Sequence, residues 1–294
     1  MTKLALVKLN QASAQEFAAT FAGIFEHSPW VAERAAGKRP FPDARALLNA
    51  MTGAVKSATR DERLALLRAH PDLAGKAARA GKLTEDSNSE QTSAGLVRLS
   101  ESEYKSFQGF NASYQKKHGI PFIVCVRRHT RDSILKQFAK RIDNNSEQEF
   151  ETALEEVFRI ASLRIDQAVE NAELGLNGRL STHVLDNHAG RPAAGVWLTL
   201  RELSDHDEPR LILRTRTNAD GRTDAPLISG RPVPMGQYEL LFSVADYFRE
   251  QRVPLAEPPF LDVVPIRFSI AEPEGHYHVP LLVTPWSYGT YRGS

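Results

Sequence analysis

The interval at which apolar residues recur changes once along this chain, and that change limits the possible fold more than any other feature. Up to about Glu173 apolar positions return every three or four residues, as along one face of a helix. Beyond Gly178 they return every second residue, as along one side of a strand. The pivot, Gly178–Pro192, reads GRLSTHVLDNHAGRP. A chain of 294 residues has room for two ordinary domains. The sequence therefore predicts a multidomain protein: an all-α domain over residues 1–173, a short glycine-containing linker over residues 174–178, and an all-β sandwich over residues 179–294.

In the first half, Ser13 can cap a helix over Ala14–Glu26, on which Phe17, Phe21, Ile24 and Phe25 share a face. Further helices are expected over Asp43–Ser57, Thr59–Ala69, Ser100–Lys117, Thr130–Ile142 and Ser146–Asn171, with Pro29, Pro40 and Pro42 imposing a loop around Trp30. Phe122–Val126 is apolar but too short for its period to be read. In the second half, Leu180–Asp186 alternates as one strand. Further strands are expected at Val196–Leu200, Leu211–Asn218, Tyr238–Phe242, Asp262–Ile270 and Tyr277–Val283, with a turn at Asp220-Gly221 and one helix near Ala245–Glu250. This spacing suggests an antiparallel sandwich.

Composition narrows the partners. A net charge of +1 gives no field to draw in nucleic acid. Cys125 is the only cysteine, so no intrachain disulfide can form. No apolar run approaches the ~20 residues that cross a bilayer, and the start MTKLALVKLN lacks the features of a secretory signal. A cytoplasmic protein acting on small molecules is expected, with no nucleic-acid or membrane partner.

Three places in the first half carry groups suited to chemistry. His70-Pro71 stands at a helix end, where proline restricts the backbone and holds the imidazole at a defined angle; a histidine there can equally satisfy helix carbonyls. Ser87-Asn88-Ser89-Glu90-Gln91 is a polar run that also reads as a solvated loop capping the next helix. His118–Val126 joins a tight turn to apolar backbone whose N–H groups could face a carboxylate or urea-like ligand, or could simply be core.

Taken together, the HPDL tetrad at His70, Ser87-x-x-Glu90-Gln91, the Ala94-Gly95-Leu96 triplet, Asn111-x-x-Tyr114-x-x-Lys117-x-Gly119-x-Pro121-Phe122 and Ile160-x-x-Leu163-Arg164 resemble the OHCU decarboxylases, which act on 2-oxo-4-hydroxy-4-carboxy-5-ureidoimidazoline. The resemblance covers nearly all of the first half. It implies an all-helical fold using neither metal nor organic cofactor, with His70 as acid/base and Glu90 and Gln91 holding the substrate. It further implies Pro71, Ser87, the segment Phe122, Ile123, Val124, Cys125 and Val126, and Arg164 as pocket residues. A near-neutral histidine would suit the proton transfer that follows loss of CO2.

In the second half the polar candidates are His183, Arg222, His276, His278 and the tail Tyr291–Ser294. His183, His276 and His278 could form a zinc site, and a histidine in a strand can also be purely structural. LSTHVLD, GRPAAGV, TNADGRT, HYHVPLL and the terminal YRGS resemble the 5-hydroxyisourate hydrolases, the transthyretin-related enzymes. That resemblance implies His183, Arg222 and His278 as the catalytic set, Tyr291 and Ser294 in the substrate pocket, no metal, and a homotetramer. The two resemblances together imply a bifunctional enzyme taking 5-hydroxyisourate through OHCU to (S)-allantoin. A transthyretin-like carrier fused to a helical adaptor is the alternative.

Overall fold

The computed structural model describes residues 3–75, 78, 80–96, 99, 101–205 and 208–293. Its contacts divide the chain into two compact units. One holds residues up to 127 together with 134–176, the other residues 128–133 together with 177 onward. The sequence boundaries were contiguous. Residues 128–133 depart from them because Met235 N–H donates to the Arg128 carbonyl (2.8 Å) and Thr130 N–H to that of Met235 (2.9 Å).

The first unit is helical. Its elements among the described residues are α1 (Leu6–Gln11), α2 (Ala14–Phe21), α3 (Trp30–Ala36), α4 (Ala44–Lys56), α5 (Arg60–Arg68), α6 (Glu85–Ser93), α7 (Glu101–His118), α8 (Arg131–Arg141, entering from residue 134) and α9 (Ser146–Ala168). Local chemistry fixes several starts. Ser13 and Thr59 each close a capping box with a glutamate three residues on, and the Asp43 carboxylate accepts from Ala46 N–H. Phe17, Phe21, Leu47, Met51, Phe107, Tyr114, Phe122 and Phe138 form the interior, with Phe122 stacked on Phe138 at 3.6 Å between centroids.

Three expectations are corrected here. The first helix ends at Phe21 rather than Glu26, and the turns that follow carry Glu26 into the interior at 2% exposure. The loop expected around Trp30 is α3. Pro29 precedes it, where the missing N–H breaks no helical bond, and Val31, Ala32, Ala35 and Ala36 supply a buried side. The polar run at Ser87 is α6, started by Thr84 accepting from Ser87 N–H and by acidic Glu85 and Asp86 in its first turn.

The second unit is built of β1 (Gly178–Ser181), β2 (Val184–Asp186), β3 (Arg191–Pro192), β4 (Trp197–Leu203), β5 (Arg210–Arg216), β6 (Ile228–Arg231), β7 (Gly236–Ser243), β8 (Val263–Ile270), β9 (His276–His278), β10 (Leu281–Val283) and β11 (Tyr288–Gly289), with α10 (Val244–Glu250) after β7. One sheet runs β5-β4-β7-β8 and is antiparallel throughout. The others run β6-β1-β9 and β11-β10-β2-β3. Leu198, Leu200, Leu240, Phe242 and Val264 from the first meet Leu180, Val184, Tyr277, Leu281 and Val283 from the others in one core.

The sandwich is mixed rather than purely antiparallel: β1 pairs β9 and β2 pairs β10 in parallel. The single strand expected over Leu180–Asp186 is interrupted at Thr182-His183, and that expected over Tyr277–Val283 at Val279-Pro280. The register is the same on both sides of the break, Ser181 against His278 and Val184 against Leu281. Pro280 has no N–H to give, so the ladder lapses beside His183. There the Leu281 N–H reaches back to the His183 carbonyl at 2.8 Å.

Candidate functional site

Each unit gathers its own set of candidate side chains. In the helical unit, α5 ends one residue short of His70's neighbour Ala69, and His70 Nδ1 donates to the Leu66 carbonyl at 3.0 Å. A carbonyl only accepts, so the neutral ring carries its proton on Nδ1 and keeps the Nε2 lone pair. Burial is the main reason the imidazole falls from 6.5 to about 4, with the Leu66 carbonyl and the Glu26 carboxylate opposing it. The near-neutral value expected from the sequence is therefore replaced by an unliganded ring that is neutral at pH 7.

His70 borders a small, partly open cavity of about 30 Å³, shared with Pro71, Ser87, Glu90, Gln91 and Arg164 on one side and Phe122, Ile123, Val124 and Val126 on the other. Leu73 and Ile160 complete the wall. Cys125 is not part of it: its thiol is buried, and its N–H donates to Glu156 Oε2 at 2.8 Å. That bond, and the bond from Arg141 Nη1 to the Ile123 carbonyl (2.7 Å), fix the segment from behind.

Arg164, projecting from α9 at 4% exposure, organises the charges. It binds Glu90 through two bonds, Nε to Oε1 (2.8 Å) and Nη2 to Oε2 (2.9 Å). Its Nη1 donates to Glu26 Oε2 (3.1 Å) and to the Gly23 carbonyl (2.9 Å). Ser87 Oγ donates to Glu26 Oε2 at 3.1 Å, and Thr84 Oγ1 to Glu26 Oε1 at 2.7 Å. Burial pushes the Glu26 carboxyl up, but the Thr84 hydroxyl and the Arg164 guanidinium outweigh it and hold the group below the usual carboxylate range. Burial disfavours the Arg164 cation, and Glu90 and Glu26 more than reverse that. Gln91 Oε1 accepts from Ala74 N–H at 2.9 Å.

In the strand unit, His183 bridges to Arg222 across the β1–β2 break. Asn218 shapes the turn that presents Arg222: its Oδ1 accepts from the N–H groups of Asp220 (3.0 Å) and Arg222 (3.2 Å). Gly221 is required there, since φ is +71° and a Cβ would lie 2.3 Å from the Val184 carbonyl oxygen. His278 Nδ1 lies 3.0 Å from Ser181 Oγ. Burial lowers both imidazoles, with Arg222 the next cause in each case, and His183 also acts on His278. His183 Nε2 is buried with no hydrogen-bond partner.

The tail reaches the same place. Gly293 bridges to His278 in both directions, N–H to carbonyl at 2.9 Å and carbonyl from N–H at 3.3 Å. Tyr291 is 59% exposed, and Ser294 lies outside the described residues. His276 is exposed, and its Nε2 stands 3.5 Å from Ser181 Oγ. Among the described residues no three His, Cys, Asp or Glu side chains are arranged to hold a metal, so the three-histidine zinc geometry is not assembled.

Sequence reasoning did not single out Glu26, Thr84 or Ser181. Glu26 follows an apolar helical run and carries no local mark of burial. Ser181 gains meaning only through the parallel register that sets it against His278.

A helical unit with a buried histidine beside a charged cavity, joined to a sandwich in which half-buried His183 and His278 stand beside exposed Arg222, defines a chain of two enzyme domains. The OHCU decarboxylase family profile matches residues 10–166, and that of the HIUase/Transthyretin family matches residues 180–293. A Rhizobium meliloti 5-hydroxyisourate hydrolase is 52% identical over 118 residues, 40% of this chain and 98% of that protein. A 2-oxo-4-hydroxy-4-carboxy-5-ureidoimidazoline decarboxylase of Haloferax volcanii is 42% identical over 165 residues, 56% of this chain and 96% of its own length. A crystal structure of (S)-allantoin synthase matches 99% of this chain and 100% of its own at 34% identity, with a TM-score of 0.51. The chain belongs to the OHCU decarboxylase family through its helical unit and to the HIUase/Transthyretin family through its sandwich.

Proposed function

We propose that this is a bifunctional enzyme of urate degradation: the sandwich hydrolyses 5-hydroxyisourate to OHCU, and the helical unit decarboxylates OHCU to (S)-allantoin. The likeness of the whole chain to (S)-allantoin synthase supports the pairing of steps. The observation that carries the chemistry is the His70 imidazole, fixed by Leu66 and bordering a cavity beside the Arg164–Glu90 pair.

In the helical unit, Arg164 already faces two carboxylates, so the site holds surplus negative charge before a substrate carboxylate arrives. That carboxylate favours the imidazolium over the neutral ring, and substrate binding is coupled to proton uptake by His70. Loss of CO2 leaves an electron pair on a carbon flanked by a carbonyl and an imine. His70 delivers its Nε2 proton to one face of that carbon and returns to the neutral state. Glu90 and Gln91 orient the ring amide and ureido groups, with Pro71, Ser87 and the 122–126 backbone shaping the pocket.

In the sandwich, His183 and His278 are held neutral and can take a proton from water, while Arg222 stabilises charge on the attacked carbonyl. Tyr291 and Ser294 bind substrate from the tail. We further assign a cytoplasmic location and a homotetramer formed through this unit. The exposure of Trp286, Tyr288 and Tyr291 supports the tetramer, because large aromatics left in water favour association. No described helix is long and apolar enough to cross a membrane.

Fresh 5-hydroxyisourate tests the scheme. Ultraviolet loss of the first compound and circular dichroism of the final one should both respond to enzyme; a response in neither defeats the proposal. Light scattering of the purified chain tests the tetramer, and a monomeric mass with full hydrolase activity removes it.

A further inference from the structure

The loop after His70, residues 71–75, is held by amide side chains. Gln108, Asn111 and Gln115 are spaced by three and four along α7, so they share one face. From it Gln108 donates to the Ala74 carbonyl (3.2 Å), Asn111 to the Leu73 carbonyl (2.9 Å) and Gln115 to Asp72 Oδ1 (2.8 Å). Gln91 on α6 accepts from Ala74 N–H (2.9 Å). Ala74 is the residue that needs holding. Its φ of +50° is a left-handed conformation that is strained for a non-glycine residue. Amides take both of its backbone polar groups. At Gly75 a Cβ would stand 2.8 Å from that of Asp72, so the turn is closed tightly on itself.

Asn111 shows what the arrangement requires. Its Oδ1 is buried without a partner. Such a group carries a desolvation cost that a leucine of similar size would avoid. What asparagine supplies over leucine is the donor to Leu73. Neither Gln108, Asn111 nor Gln115 borders the cavity, whereas His70, Pro71 and Leu73 all do.

We propose, resting on the decarboxylase reading above, that Gln108, Asn111 and Gln115 are positioning residues for that reaction: they fix the strained loop 71–75, and through it the His70 imidazole and the Leu73 wall. Protonation of one face of a carbanion depends on the donor's place, and a misplacement of about 1 Å can cost roughly 100-fold in rate. Glu90, Arg164 and the 122–126 backbone lie outside this loop and make no bond to these amides, so kcat responds to them more than KM does.

The test uses the full chain with Gln108→Met and Asn111→Leu, singly and together, beside His70→Asn. Enzyme is raised until catalysed turnover of OHCU outruns its spontaneous loss. The double variant should lose roughly 10- to 100-fold in kcat with KM held within about twofold, and form allantoin of reduced enantiomeric excess. Hydrolysis by the other unit stays unchanged. Ala74→Gly, which removes the left-handed strain, should return part of kcat to Asn111→Leu. If both single variants and the double keep wild-type kcat and enantiomeric excess while His70→Asn is inactive, the positioning role is overturned. A fall in kcat with an equal rise in KM and full enantiomeric excess also overturns it, since that marks general loosening. Unchanged turnover in His70→Asn overturns the decarboxylase reading instead. Gln108 is only half-buried, so Gln108→Met alone carries the test if the double variant fails to fold.

Discussion

His70 lies at 9% exposure inside a network where one buried guanidinium serves two buried carboxylates, whereas in the sandwich Arg222, His276 and Tyr291 stand in solvent. The interior site must satisfy every charge within the protein before substrate binds, because an unpaired charge there is costly. In the sandwich the exposed Arg222 charge is left to water, and the half-buried His183 and His278 are kept neutral instead of being paired. Stability and activity should therefore be linked in the helical unit and separable in the sandwich.

The sharpest break between them is expected from His70→Asn. Decarboxylation should fall roughly 10²- to 10⁴-fold, the usual share of a general acid/base, with hydrolysis intact in the same preparation. Next comes Arg164→Met, which strands Glu26 and Glu90. Denaturant melts should show the helical unit losing about 3–5 kcal/mol. Arg222→Ala should show the opposite pattern: hydrolysis down roughly 10²- to 10³-fold, with stability changed by no more than about 0.5 kcal/mol.

A pH series sharpens the contrast further. His70 lies near 4 in the folded unit against 6.5 for an unperturbed ring, so the unfolded chain binds the extra proton between them. The stability this gives is fully present above pH 6.5 and is lost as pH falls toward 4, on the order of 3 kcal/mol in all. His70→Asn should remove that portion of the acid sensitivity, read as a flatter stability-against-pH curve. The smallest effect is expected from deleting residues 291–294. Hydrolysis should drop about tenfold or more through lost substrate positioning, and decarboxylation should not change.

The sequence exposed the fold where packing is apolar and hid it where packing is polar. Helix α4, on which Leu47, Leu48 and Met51 recur at helical spacing, was legible to within a residue of each end. Helix α6 was not, because its buried face is Ser87, Glu90 and Gln91 and no apolar stripe marks it. Pro29 was read as a breaker when its position made it a starter. Strand alternation placed β4, β7 and β8 but could not reveal that Pro280 interrupts a parallel ladder. At the sites, motif resemblance named His70, Glu90, Arg164, His183, Arg222 and His278. Glu26 escaped, since only the turns after Phe21 and the reach of Arg164 from α9 bring it in. Cys125 was named by its place in a motif, while its N–H had already been taken by Glu156.

The claim beneath all of this is that two separate imidazole-centred sites act in succession. Its most direct measurement is a single reaction begun with fresh 5-hydroxyisourate and followed at once by absorbance and circular dichroism, with wild type, His70→Asn and Arg222→Ala in parallel. Wild type should speed loss of the starting compound and give the (S) product. His70→Asn should keep the first effect and lose the second, and Arg222→Ala should slow the first while still converting added OHCU. If either variant impaired both steps equally, or wild type produced racemic allantoin, the account of two independent sites would be contradicted.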